Sequence, residues 1–421
     1  MKYQEYAVSV FDNYIKENKA DLILDFFLIL TIIYNSNSVW ALASDQFALS
    51  CFALFGVSLI YYLHCLTQKK YLLQKTLVPL LIVACATIIA QLAISLAHNG
   101  EGLLNGSWIQ LTFVLPLLVG SMLARGKEYV YDIFLPRVVK ISSVLCGLSI
   151  LFWMLCNFVG MPPVSQTRLN WTSGDSIGSY YNLFYQIQSI SFGSSNLWRN
   201  VSVFSESPQA AVFYGLMLGI DLLLMKKTNY LCAIILSVGL FTTLSTSAYL
   251  YLLFLWFPFL FIKLINNSNK NEAKVLISAL LIVFICISCV AIRIVSSKIS
   301  GSYSGMTHLT DITEGVRIWL DNPVFGFGFE SDDYIWSHYV INYRGGMGYT
   351  SGLIFCLLHG GIPLFLVYII PIVFLYISNN NVLYKIFAIY LLFIYITVVV
   401  QNYGLFIYCL SLGYVFFIWR K

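Results

Sequence analysis

Apolar residues occur in this chain as long unbroken runs separated by short polar breaks, near residues 21–40, 46–66, 76–97, 108–124, 141–160, 208–225, 229–246, 248–265, 275–295, 351–376, 384–401 and 403–419. Each run approaches or reaches the roughly 20 residues that an α-helix needs to cross a bilayer. Such runs recur from one end of the chain to the other, which a water-soluble core cannot absorb. The pattern predicts an all-α integral membrane protein of about twelve transmembrane helices, forming a single polytopic membrane domain over 1–421. The first run is interrupted at Asn35–Ser38 and followed by Ala41-Leu42-Ala43, which imitates a signal-peptidase site. The polar region before it is long and carries Glu5, Asp12, Glu17 and Asp21 beside its lysines, so the run is read as a retained span.

Two stretches break the pattern, 161–207 and 296–350. Loops of that length are uncommon unless they have a function. Both mix aromatic residues with Gly, Ser and Asn: Trp171, Tyr180, Tyr181, Tyr185 and Trp198 in the first, Tyr303, Trp319, Tyr334, Trp336, Tyr339, Tyr343 and Tyr349 in the second. Aromatic faces beside hydroxyl and amide groups suit carbohydrate, with Trp171, Trp198 and Trp336 as the candidate glycan-stacking residues. The alternative is an aromatic belt at the membrane surface.

Charge gives the pattern an orientation. Only 10% of the residues are charged and 59% are hydrophobic, against about 25% charged in soluble proteins. With the N-terminus inside, eighteen lysines and arginines fall on the cytoplasmic side. Six fall outside: Arg168, Arg199, Arg293, Lys298, Arg317 and Arg344. That asymmetry predicts cytoplasmic N- and C-termini and places both long loops on the outer face. The net charge of +5 is a topology signal and not a sign of a nucleic-acid partner. The ten cysteines lie in or at the ends of apolar runs at no metal-binding spacing, so neither a disulfide framework nor a zinc site is expected.

The first loop ends in Trp198-Arg199-Asn200-Val201-Ser202-Val203-Phe204-Ser205-Glu206-Ser207-Pro208. Ser207 fits an N-cap and Pro208 the first helical turn, so a helix is predicted to start here with its positive dipole end toward the outer loops. With Arg199 nearby, that start is a seat for a phosphate group. Glu206 beside it is expected to be held as the carboxylate, a base or an orienter of a hydroxyl. The competing reading is a plain Arg199–Glu206 pair. In the second loop Asp311-Ile312-Thr313-Glu314 has the spacing of a capping box and Asn322-Pro323 supplies a stop, which predicts a short helix between them. Arg317 on that helix can reach a diphosphate or can pair locally with Glu314 or Asp321. Arg168 and Arg344 are further diphosphate candidates, and His338 and His308 are the loop histidines that could serve as base. No acidic cluster suggests a divalent metal; Asp332-Asp333 comes nearest.

Three stretches resemble the Wzy-type O-antigen and capsule polymerases and the related O-antigen ligases: Arg199 to Pro208, Leu244-Ser245-Thr246-Ser247-Ala248, and Arg317-Ile318-Trp319 running to Pro323-Val324-Phe325-Gly326-Phe327-Gly328. The last also fits an arginine, ten residues, then glycine. The resemblance implies a GT-C-like fold whose outer loops contain short helices, in a bacterial cytoplasmic membrane. It also implies an inverting, metal-independent glycosyltransferase without a cofactor, which joins undecaprenyl-diphosphate-linked glycan repeat units. Membrane lipid, a chain-length regulator and a flippase of the same pathway would be its partners. Ligase-like members carry a His-Asn pair eleven residues before a helical glycine; aligned on Gly361, this chain has Thr350-Ser351. The serine-arginine of the tight turn is likewise Ser247-Ala248, which favours a polymerase over a ligase. The rivals from other classes are a flippase for lipid-linked glycan and a structural member of an assembly complex.

Overall fold

The computed structural model describes residues 19–43, 47–68, 73–100, 106–169, 176–192, 195–267, 303–338, 349–378 and 380–420. Its main helices are α1 (Lys19–Tyr34), α2 (Phe47–Gln68), α3 (Leu73–Ala97), α4 (Gln110–Arg125), α5 (Lys127–Val159), α6 (Ser207–Leu224), α7 (Tyr230–Thr242), α8 (Thr246–Asn267), α9 (Tyr303–Trp319), α10 (Asp332–Ser337), α11 (Gly352–Ser378), α12 (Val382–Thr397) and α13 (Gly404–Ile418).

Among the described residues six helices, α2, α3, α5, α6, α8 and α11, are long and apolar enough to cross a membrane, which corrects the expectation of about twelve. The other described runs fold as shorter helices: α4, α7, α12 and α13 have 10–17 residues, and α1 has 16. At 1.5 Å per residue such helices cover about 15–25 Å, short of a hydrocarbon core of about 30 Å. Hydropathy does not separate a span from an apolar helix enclosed by protein, and α13 is enclosed along nearly its whole length. The run at 275–295 lies outside the described residues.

Proline explains two of the local departures from α-geometry. Pro116 and Pro136 each follow a five-residue π-helical turn, Gln110–Val114 and Val130–Phe134. A proline has no N–H to return to the preceding turn, and the widened turn accommodates that gap. A sharper break falls in α11, where Gly361 takes φ 57° and ψ −147°. The freed carbonyls of Leu358 and His359 accept the N–H groups of Phe327 and Gly328 at 2.7 and 3.1 Å, and Ile362 N–H donates to Val324 O at 3.0 Å. The 324–328 segment thereby satisfies the interrupted helix, as backbone groups at membrane depth require.

The all-α expectation also fails in the first long loop, which forms strands and not short helices. β1 (Ser165–Arg168), β2 (Ser176–Tyr180) and β3 (Phe184–Gln186) make an antiparallel sheet, and β4 (Ser189–Phe192) and β5 (Ser195–Trp198) a hairpin. Tyr181 and Asn182 turn between β2 and β3 with φ of 52° and 57°, a geometry that suits a tight hairpin. Ladders satisfy the backbone of a segment too rich in Gly, Ser and Asn to hold a helix. The sheet rests on the end of α5, where Tyr180, Phe184 and Cys156 are buried with Trp153 and Trp198 packed against them.

The helices place their ends consistently. Asn37, just past α1, donates to Ser205 Oγ at 3.1 Å and to Tyr403 at 3.3 Å, so the C-terminal end of α1 and the N-terminal ends of α6 and α13 share one end of the bundle. Gly352 N–H donates to Val398 O at 3.1 Å, which brings the start of α11 to the same end. The start of α1, the start of α5 and the end of α6 therefore lie at the opposite end, where Lys226 pairs with Asp132 at 2.8 Å.

Candidate functional site

The site is built at the end of the bundle where α6 begins. Glu206 is its N-cap, with φ −149° and ψ 153°, and Pro208 sits in the first turn. The cap thus falls one residue before the predicted Ser207. The Glu206 carbonyl accepts Gln209 and Ala210 N–H at 3.2 and 3.1 Å, while its carboxyl group makes no capping bond. Burial pushes the Glu206 carboxyl above its ordinary value and Arg199 pulls it back only in part. The helix start does not reach the carboxyl with an N–H, so desolvation outweighs the pull of Arg199.

Arg199 is half-buried beside it. Its Nη2 donates to Leu244 O at 2.6 Å; its Nε is buried without a partner among the described residues. No direct ion pair joins Arg199 to Glu206, although each feels the other's charge and burial lowers the Arg199 pKa. The arginine is held by the resembling turn, because Asn200 donates to Thr242 Oγ1 at 2.9 Å and its N–H to Thr242 O at 3.0 Å. Leu244 itself is left-handed, at φ 51°, a strained state for a leucine that the surrounding bonds impose. Two of the three resembling stretches are therefore in contact. Around them the Ser207 hydroxyl and the Gln401 side-chain amide are buried and unpartnered among the described residues, and Ser205 donates to Gln209 at 2.5 Å.

A second cluster stands at the start of α11. Arg317 Nε donates to Glu314 at 2.8 Å, the local pair that the spacing allows, and its Nη2 donates to the His338 carbonyl at 2.7 Å. His338 lies exposed, with its ring 4.2 Å from that of Tyr334. Its Nδ1 donates to Tyr334 O at 2.8 Å, which leaves the lone pair of the neutral ring on Nε2. Thr350, one of the residues standing where ligase-like members have His-Asn, is bound through its N–H by Asp311 at 2.8 Å. Ser351 accepts Ile354 N–H at 3.4 Å.

Sequence reasoning missed His359, which lies in an apolar run. It is 1% exposed; its Nδ1 donates to Gly328 O at 2.8 Å and its Nε2 faces Tyr349 at 3.1 Å and Asp332 at 3.4 Å. Tyr349 also donates to Asp332 at 2.8 Å, and the hydrogen bond from His359 holds the Asp332 carboxyl below its ordinary value. A histidine inside a predicted span was the available signal. Tyr403 and Asn37 carried none, being ordinary residues at helix ends.

The other predicted residues are dispersed. Arg168 ends β1 opposite Ser176. Trp198 is a packing residue of the sheet, its carbonyl accepting Trp153 Nε1 at 2.6 Å. Trp336 lies 4.8 Å from Tyr349, ring to ring. His308 stands exposed on α9. Trp171, Arg293 and Arg344 fall outside the described residues. Among the described residues no three His, Cys, Asp or Glu side chains gather as metal ligands would.

Fold and composition define a multi-pass membrane protein with several long apolar helices. No family model, no curated protein and no solved structure matches the chain.

Proposed function

We propose that this protein is a glycosyltransferase that joins undecaprenyl-diphosphate-linked oligosaccharide repeat units into a longer glycan, a Wzy-type polymerase at the outer face of a bacterial cytoplasmic membrane with both termini inside. The observation that carries this reading is the Arg199–Glu206 arrangement. A guanidinium whose Nε is buried without a partner and a carboxyl group in no ion pair among the described residues feel each other's charge at a helix start, at one end of a membrane bundle. A pair built for stability alone would close on itself.

In this reading the acceptor hydroxyl oxygen attacks the anomeric carbon of the donor glycan from the face opposite the lipid diphosphate. The carbon–oxygen bond to the diphosphate breaks, its electron pair leaves with the phosphate oxygen, and the hydroxyl proton passes to the Glu206 carboxylate. The products are a new glycosidic bond of inverted configuration and undecaprenyl diphosphate. Arg199 stabilises the charge growing on the leaving diphosphate, where a guanidinium fork matches two phosphate oxygens. Arg317 is a second cation at the same end, and His338 Nε2 is the alternative base. A chain-length regulator and a flippase of the same pathway would be its partners.

The pH dependence tests the assignment of Glu206. A base must be ionised, and burial raises the pKa of this one above its ordinary value, so the rate falls as pH drops through a value above that of an ordinary glutamate. Glu206→Gln is expected to slow elongation about a hundredfold or more and to abolish that acid limb. A Glu206→Gln protein with wild-type rate and an unchanged limb contradicts the assignment; a limb lost only in His338→Ala transfers the role to His338.

The flippase reading would draw on ionisable groups inside the membrane bundle. The buried Asp25 is held by Tyr61 at 2.6 Å, by Tyr129 at 2.8 Å and by Arg137, and Asp221 accepts Asn229 N–H at 2.9 Å to close the turn after α6. Both act in the first place as structural ties.

A further inference from the structure

At the end of the bundle opposite the candidate site, α1 and α5 leave a groove of about 500 Å³ between them. Its walls are Leu22, Ile23, Phe26 and Phe27 of α1 and Ile141 of α5, and its cations are Arg137 and Lys140 of α5. We propose that this groove binds one anionic glycerophospholipid, its phosphodiester between Arg137 and Lys140 and an acyl chain along Phe26, Phe27 and Ile141. The site is independent of the glycosyltransferase reading.

Depth in the membrane places the groove at a headgroup. Helix α5 has 33 residues, about 50 Å at 1.5 Å per residue, more than the hydrocarbon core of about 30 Å. From Ile141 to Val159 it is an apolar stretch of about 28 Å that accounts for that core. Arg137 and Lys140 stand on the turn just before it, at the boundary where phosphates lie. The walls suit an acyl chain, since Leu22, Ile23, Phe26 and Phe27 are each 45–52% exposed on the face of α1 that lines the groove.

Charge then selects among lipids. Asp25 is fully buried and takes bonds from Tyr61, Tyr129 and Arg137, which fixes the guanidinium in place and offsets its charge, so the uncompensated positive charge of the groove is that of Lys140. Asp21, one turn earlier on α1, is turned to Arg125 at 2.8 Å and His64 at 2.7 Å. Asp132 is turned to Lys226. Lys140 is exposed and in no ion pair among the described residues, and Lys19 opens α1 at the same end of the bundle. The groove thus presents a net positive charge to a headgroup. A zwitterionic lipid fills the walls equally well and gains nothing from that charge, whereas basic pockets between membrane helices favour anionic headgroups.

Native mass spectrometry of the full chain, released from detergent and titrated with phosphatidylglycerol or with phosphatidylcholine of the same acyl chains, tests the proposal. One phosphatidylglycerol is expected to stay bound with about tenfold preference over phosphatidylcholine. Lys140→Glu is expected to remove the preference. Lys227→Glu, which changes an exposed lysine at the same end outside the groove, is expected to keep it, so a loss caused by net charge alone is distinguished. Equal retention of the two lipids, an undiminished preference in Lys140→Glu, or the same loss in Lys227→Glu overturns the proposal. So does the absence of any retained lipid, which would leave the groove to a helix of another protein.

Discussion

Replacing Arg199 by alanine is expected to lower the rate of glycan elongation at least about a hundredfold, the usual cost of removing a positioned donor from a developing oxyanion. The residue faces two ways. One guanidinium nitrogen holds the Leu244 carbonyl at 2.6 Å, and the Nε is buried without a partner among the described residues, so the alanine variant loses both a structural bond and the proposed diphosphate contact. Removing the structural bond alone costs about 1–3 kcal/mol, because the Leu244 carbonyl is then left without its donor. Arg199→Lys separates the two losses. Lysine restores a charge without the planar fork, so elongation is expected to return in part while remaining well below wild type. Product length on gels and thermal unfolding of the purified variants check both outcomes. An alanine variant that elongates at the normal rate contradicts the role, and one that fails to fold makes the lysine variant the deciding measurement.

Gly361→Ala is expected to be the most damaging single substitution to the fold, at more than about 3 kcal/mol. The backbone there, at φ 57° and ψ −147°, belongs to a region that residues with a Cβ scarcely visit. A Cβ at this position would also stand 2.3 Å from Val324 O and 2.8 Å from Gly326 N. Relief by movement of Val324 would break the bond from Ile362 N–H to Val324 O and unseat the segment that satisfies the broken helix. Gly326→Ala meets Leu358 O at 2.4 Å from the other side of the same contact. The measurement is the fraction of folded, monodisperse protein recovered in detergent and its unfolding temperature. A Gly361→Ala protein as stable as the parent would show that the close crossing of the 324–328 segment and the broken helix does not matter.

Much of the local structure was legible because it rests on short-range chemistry. The helix start at Glu206 and Pro208 and the close approach at Gly326–Gly328 follow from capping residues and glycines, whereas the helix leading to Arg317 begins at Tyr303 and not at the capping box expected at Asp311–Glu314, whose Asp311 carboxylate accepts Thr350 N–H instead. The number of membrane-crossing helices was not legible. A run such as 403–419 is apolar because α13 is surrounded by protein, and composition is the same whether the surroundings are lipid or side chains. The sheet of the first loop escaped because its strands have three to five residues, too few for alternation to show.

The candidate site was legible as residues and not as an arrangement. Arg199 and Glu206 are close in sequence and remain so in space. Contact between Arg199 and Leu244, and between Arg317 and His338, depends on which helices pack together. The cap itself was expected at Ser207, and the structure gives that position to Glu206, whose carboxyl makes no capping bond. His359 was hidden for a related reason: within an apolar stretch its partners, Asp332, Tyr349 and the Gly328 carbonyl, all arrive from elsewhere in the chain.

Elongation itself is the most direct measurement. The purified chain is placed in proteoliposomes with a synthetic undecaprenyl-diphosphate-linked oligosaccharide, and products are resolved by mass over time. The account predicts a ladder at whole multiples of the repeat unit, with undecaprenyl diphosphate released in step and both lost in Arg199→Ala. Repeat units that cross the bilayer but never lengthen would contradict it and identify a transporter.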